Sequence, residues 1–142
     1  MVRVNPETKL TPLFTWPVRV YYEDTDTDGV VYYANYLKFF ERARTEWLRS
    51  LGLNQDKLTR EEGLIFVVRR ALLDFVRPAR LDDMLEVTVE PLKLAHVYVD
   101  LAQEASCGAQ VLARAQIRVA CLTQRSFKPA PLPQSLRESI TK

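Results

Sequence analysis

Three aspartates at alternate positions, Asp24, Asp26 and Asp28, followed by Gly29, are the residues of this chain best placed to do chemistry. A carboxylate can act as a general base on water or attack a carbonyl itself. The spacing D-x-D-x-D-G also matches the opening of a calcium-binding loop. That reading fails at two points. Asn35 stands at the twelfth position, where a bidentate glutamate belongs, and Arg19-Val20-Tyr21-Tyr22 reads as a strand rather than an entering helix.

An amphipathic helix must follow these carboxylates. Tyr36, Phe40, Ala43, Trp47 and Leu51 recur at steps of three or four, with Leu37 and Leu48 widening the stripe, so the spacing predicts a helix over about 35–51. Lys38, Glu41, Arg42, Thr45, Glu46 and Arg49 fall mostly off the stripe. Arg42 and Glu46 form an opposite-charge pair one turn apart, and Gly52 supplies a left-handed stop. The carboxylates therefore precede a helix N-terminus, where unpaired N–H groups favour negative charge.

Within 21–52 the sequence closely resembles hot-dog-fold acyl-CoA thioesterases of the 4-hydroxybenzoyl-CoA thioesterase type. It is most similar to the bacterial group associated with the Tol-Pal gene cluster, through the run YYEDTDTDGVVYYANYLKFFERARTEW. A weaker likeness continues through Gly63 to Asp83, including VVRR and RPARLDD. The resemblance implies an α+β fold in which one long central helix is wrapped by a curved antiparallel sheet. It implies hydrolysis of acyl-CoA thioesters, with short to medium or aromatic acyl groups, to the free acid and CoA. Asp26 falls on the family's catalytic carboxylate, and the backbone N–H of Tyr33 on the group that faces the thioester oxygen. Tyr22, Gly29, Val30, Val31, Tyr32 and Asn35 are then expected around the substrate, with Arg69 and Arg70 toward the CoA phosphates. No cofactor and no metal is implied.

Two residues depart from the pattern. Tyr33 replaces a histidine, and Asp28 replaces a small residue. A backbone N–H survives the first change, whereas a charged side-chain role does not. Asp28 is expected to face solvent. Glu41 and Glu46 are further candidates, because other hot-dog branches use a helical glutamate, and they rank behind Asp26. The alternative reading is a non-catalytic module that binds acyl-CoA or acyl carrier protein.

The 142 residues, with 20 basic and 18 acidic side chains, carry a net charge of only +2, which gives no case for a nucleic-acid surface. One domain over 1–142 is expected, with its core at about 16–124 and a tail over 125–142. The absence of a long apolar run argues against a signal peptide or a membrane span, so a cytoplasmic location is expected. Cys107 and Cys121 read as reduced packing residues. His96, the only histidine, reads as the start of a strand.

Strands are expected over 16–23 and over 64–76, the latter covered on both faces along part of its length. Alternating patterns predict further strands around 85–90, 97–101 and 111–121, with a bulge or edge at Pro91 and a hairpin at Gly108. The segment 54–62 reads as a polar connector with at most a short helical turn, 127–133 as extended, and 136–140 as a terminal helical turn. One helix covers only the middle of such a sheet, so a free edge calls for a homodimer, or a dimer of dimers.

Overall fold

The computed structural model describes residues 13–141. Helix α1, Asn35–Ser50, forms where the period predicts, and Gly52 ends it at φ +85°. Its buried face is Tyr36, Phe39, Phe40, Ala43, Trp47 and Leu48. Withdrawing side chains of the size of Phe39 and Phe40 from water stabilises the fold by about 1.5–3 kcal/mol each. Leu37 is exposed and does not widen the stripe; Phe39 does. Arg42 does not pair with Glu46, whose carboxylate instead meets Arg49 at 2.6 Å.

Five antiparallel strands, β1 (Phe14–Arg19), β2 (Leu64–Phe75), β3 (Met84–Leu94), β4 (Tyr98–Cys107) and β5 (Gln110–Thr123), are ordered β1-β3-β4-β5-β2. Helix α1 packs across β3, β1 and β4. Val87 and Val89 of β3, Leu101 of β4 and Ile117 of β5 meet it in one core. Gly108, at φ +59°, turns β4 into β5 in two residues, and the pairing of β3 with β4 slips between Pro91 and Lys93. The expected α+β layout of one long helix against an antiparallel sheet is what forms.

Several expectations need correction. The first strand ends at Arg19, because Tyr22–Asp24 turn into a short 3-10 helix rather than continuing the ladder. The polar connector is a full helix, α2 (Gln55–Glu62), which buries only Leu58. His96 lies exposed in the bend before β4. Phe127 is left-handed, at φ 55°, rather than extended.

The segment read as a tail also packs inward. Ala130, Leu132, Leu136 and Ile140 join the core, the last two from helix α3, Gln134–Ile140. Cys107 and Cys121 are free thiols, and burial pushes Cys121 up to about 11, so it stays protonated at neutral pH. Among the described residues no helix is long and apolar enough to cross a membrane.

Strand β2 is not covered on both faces. It is an edge of the sheet, and Val68, Leu72 and Phe75 are exposed, Leu72 to 64%. Pairing with β5 shifts between Val68 and Arg70. Val68 opposes Val119 and Ala71 opposes Ile117, so Arg69 is the extra residue of a bulge that keeps both apolar positions on the helix side. Arg70 then stands opposite Arg118 on the outer face. Arg118 is neutralised there by Asp100, through bonds of 2.8 and 3.0 Å.

Candidate active site

The three aspartates do three different things. Asp24 is 2% exposed. Its Oδ2 accepts the Tyr21 N–H at 2.8 Å, while Oδ1 is buried without a partner among the described residues. Its backbone carbonyl accepts both the Tyr32 N–H, at 3.1 Å, and Asn35 Nδ2, at 2.9 Å. Asp24 thus braces the start of α1 against the short 3-10 helix that Asp24 itself ends.

Asp26 opens a tight turn. The Gly29 N–H donates to the Asp26 carbonyl at 3.1 Å, and the Asp26 N–H donates to the Val30 carbonyl at 2.9 Å. Gly29 sits at φ +77°, the left-handed position such a turn needs. A Cβ on Gly29 would meet nothing within 4 Å, so backbone conformation rather than space calls for glycine. The Asp28 N–H donates to Asp26 Oδ1 at 2.9 Å, fixing the carboxylate at the surface, and no described residue donates to Oδ2. Asp28 is exposed, as expected.

The turn delivers the chain to α1. A Thr25–Val31 bridge and a Val30–Arg80 bridge hold it, and the Val31 N–H donates to the Ala79 carbonyl at 2.8 Å. The helix then begins at Ala34 with no side-chain cap and no acidic residue in its first turn. Among the described residues the backbone N–H groups of Tyr33 and Ala34 have no acceptor, although those of Val31, Tyr32, Asn35 and Tyr36 all have one. A donor left over at the positive end of a helix, one turn of chain from a carboxylate, suits the oxygen of a carbonyl under attack.

Aromatic rings surround this point. Tyr33 lies 4.8 Å from Tyr32 and 5.9 Å from Phe75, and Phe75 lies 5.7 Å from Tyr36. The Tyr36 hydroxyl accepts the Ala79 N–H at 3.0 Å, and burial raises its pKa. Val31, Tyr33, Tyr36, Phe75 and Arg77 line an open groove here. Phe75 was legible in the sequence only as an apolar strand residue, with nothing to mark its place beside Tyr33.

Asp26, Gly29, Val30, Val31, Tyr32, Tyr33 and Asn35 are therefore brought together, with Tyr22 exposed on the short helix just ahead of them. Arg69 and Arg70 are not. They lie six and five residues up β2 from Phe75, on the order of 16–20 Å at strand spacing. Glu41 is exposed and accepts the Thr45 hydroxyl, and Glu46 is tied to Arg49. Neither approaches the turn in sequence or along the helix.

A second cavity, of about 140 Å³, opens between the middle of α1 and the sheet. Leu48, Phe66, Val68, Val99, Leu101 and Leu136 make it apolar, while Glu41, Arg44 and Thr45 give it one polar side. Its size is comparable with the roughly 150 Å³ cavity that holds a benzene ring. Arg44 was missed as a candidate. The signal was there, since it occupies an apolar-face position of the series 40, 43, 44, 47, 48.

Comparison with known proteins agrees with this layout. Residues 20–140 match the model of the thioesterase-like superfamily. The chain is 43% identical over 127 residues to an acyl-CoA thioesterase YbgC of Haemophilus influenzae, covering 89% of this chain and 93% of that protein. Against an acyl-CoA thioester hydrolase YbgC of Escherichia coli O6:H1 it is 44% identical over 127 residues, covering 89% and 94%. The crystal structure of a 1,4-dihydroxy-2-naphthoyl-CoA thioesterase from Synechocystis superposes with a TM-score of 0.85 at 32% identity, covering 91% of this chain and 96% of that one. With its single long helix laid across a five-stranded antiparallel sheet, the chain belongs to the thioesterase-like superfamily, as a hot-dog fold member similar to the YbgC proteins.

Proposed function

We propose that the protein hydrolyses acyl-CoA thioesters to the free acid and CoA. The observation that carries this reading is the Tyr33 N–H, without a protein acceptor among the described residues at an uncapped helix start, which follows directly on the tight turn that carries the exposed carboxylate of Asp26. The thioester oxygen accepts from the Tyr33 N–H, which polarises the carbonyl and stabilises the negative charge that grows on it. Asp26 Oδ2 supplies the other half. It either attacks the carbonyl carbon, expelling CoA thiolate and leaving a mixed anhydride that water opens, or takes a proton from the attacking water. Both routes consume one water and give one acid and one thiol. Single-turnover reaction in ¹⁸O water separates them, because only the anhydride route can leave label in Asp26.

A homodimer completes the site in this reading. The apolar edge of β2 calls for a second copy, and antiparallel pairing about a two-fold axis sets the Phe66–Val68 end of one chain against the Phe75 end of the other. Tyr33 packs on Phe75, so the partner subunit's Tyr33 would face the 140 Å³ cavity of this chain. The acyl group would enter that cavity, which suits a short chain or a single ring. CoA would extend outward over basic surface, where Arg69, Arg70 and Arg77 are proposed phosphate contacts. A cytoplasmic location and the use of acyl carrier protein as a second carrier belong to the same proposal.

Release of free thiol from a panel of short, long and aromatic acyl-CoAs tests the reading. Asp26→Asn should lower kcat/KM by roughly 10²–10⁴ without unfolding the protein, because asparagine retains an oxygen for the Asp28 N–H. A wild-type protein that binds the panel but releases no thiol would be a binding module instead.

A further inference from the structure

The first residue of α1 is an asparagine that does not cap the helix. Asparagine at a helix start ordinarily serves through its side-chain oxygen, which accepts an N–H of the first turn. Asn35 works in the other direction. Its Nδ2 donates backward to the Asp24 carbonyl at 2.9 Å. The atom facing Asp24 must be the nitrogen, because a carbonyl oxygen only accepts.

That bond closes a ring. The same Asp24 carbonyl accepts the Tyr32 N–H at 3.1 Å, and the Tyr32 carbonyl accepts the Asn35 N–H at 2.8 Å. Tyr32 is thus held at both of its backbone groups, and Asn35 donates two of the three bonds. The anchor is firm. Asp24 is buried, its N–H donates to the Tyr21 carbonyl at 3.0 Å, and its Oδ2 accepts the Tyr21 N–H at 2.8 Å.

The consequence falls on the next peptide. The Tyr32 carbonyl and the Tyr33 N–H belong to one planar trans unit, so they point in opposite directions. A carbonyl committed to Asn35 therefore turns the Tyr33 N–H away from the ring, where it has no acceptor among the described residues. Loosening the ring lets that plane rotate. A rotated plane would offer the thioester the oxygen of Tyr32, which repels the growing negative charge, in place of the N–H of Tyr33.

We infer that Asn35 is a positioning residue, which acts on the thioester through the Tyr32–Tyr33 peptide and not by contact with the substrate. The inference rests on the acyl-CoA reading above and names the residue that aims its N–H.

The test reads the carbonyl itself. Butyryl-CoA and benzoyl-CoA, isotopically labelled at the thioester carbon, are bound to the full chain carrying Asp26→Asn, and the carbonyl stretch is followed by infrared difference spectroscopy. A donated N–H should move the stretch below its frequency in free solution. Adding Asn35→Ala should return it most of the way to the free value. Asn35→His, whose Nδ1 can stand where Nδ2 stands and donate, should restore the shift. With Asp26 present, Asn35→Ala should lower kcat by about 10–10²-fold and leave KM nearly unchanged. A residue that merely holds the fold would leave the stretch where it is, and one that touches the substrate would raise KM. A stretch that stays shifted in Asn35→Ala overturns the inference, as does a loss in KM rather than kcat, or a parent protein with no shift to lose. Should the alanine variant not fold, Asn35→Leu fills the same space without a donor and is judged by the same outcomes. The spectra need no turnover, so the two proposals fail separately. A shift lost in Asn35→Ala, in a protein whose wild type releases no thiol, sinks only the hydrolytic reading; thiol release indifferent to Asn35 sinks only this one.

Discussion

Helix α2 starts with Asn54, whose side chain accepts the Lys57 N–H at 3.0 Å, and carries Asp56 in its first turn. Helix α1, twice as long and central to the core, starts at Ala34 with neither a side-chain cap nor an acid. A side-chain cap contributes about 1 kcal/mol, and an acid in the first turn a few tenths more. The long helix forgoes both, although its buried face can supply the stability that its first turn lacks. What α1 keeps is a positive end without an acid, where among the described residues the N–H groups of Tyr33 and Ala34 have no acceptor, just after the Asp26 turn. Two helix starts in one chain thus differ in kind, one capped for stability and the other, in the function proposed above, open to the thioester oxygen.

That contrast can be broken from either side. Ala34→Asp would give α1 the acid it lacks. It is expected to leave the melting temperature unchanged or raise it, while lowering kcat/KM on acyl-CoA by at least about tenfold, because the carboxylate opposes charge developing on the thioester oxygen. Activity that survived the substitution would remove the helix end from the mechanism. Next in size, Gly29→Ala should cost about 1–2 kcal/mol in denaturant unfolding, the price of a left-handed alanine. It should also depress turnover, because the same turn aims Asp26. The smallest effect is expected at the other helix. Asn54→Ala should cost about 1 kcal/mol and leave kcat/KM at the wild-type value; a change in turnover there would undo the distinction between the two helix ends.

The sequence was most legible where one periodicity and one stop signal coincide. The apolar spacing of α1 and its Gly52 terminus were enough to place that helix within a residue. The alternating strands from Leu85 to Cys121 were legible for the same reason, since each has one buried face. Strand β2 was not. Its nearly continuous apolar run looks the same whether a second sheet face or a second chain covers it, and only the strand order makes it an edge. Helix α2 was hidden by its polarity, with Leu58 its single buried residue.

Among the site residues the same limit applies. D-x-D-x-D makes three carboxylates look equivalent, and their separation into a buried brace, a turn-opening surface group and a solvent-facing neighbour depends on hydrogen bonds to Tyr21, Tyr32 and Asn35 that spacing does not reveal. Arg44 was overlooked because an arginine in a helix is ordinarily on its outer side. Its half-buried position follows from partners on β4, and above all from Gln103, 59 residues away.

The bulge at Arg69 also bears on solubility. A twelve-residue edge strand with exposed valine, leucine and phenylalanine is the kind of template on which unrelated chains stack into aggregates. Arg69 and Arg70 divide it into Leu64–Val68 and Ala71–Phe75, two stretches of five. Each falls short of the roughly six- or seven-residue run that a dry zipper between sheets requires. The pair of arginines can therefore act as a gatekeeper, leaving the edge able to accept a copy that carries the same interruption while denying a long uninterrupted ladder to any other strand.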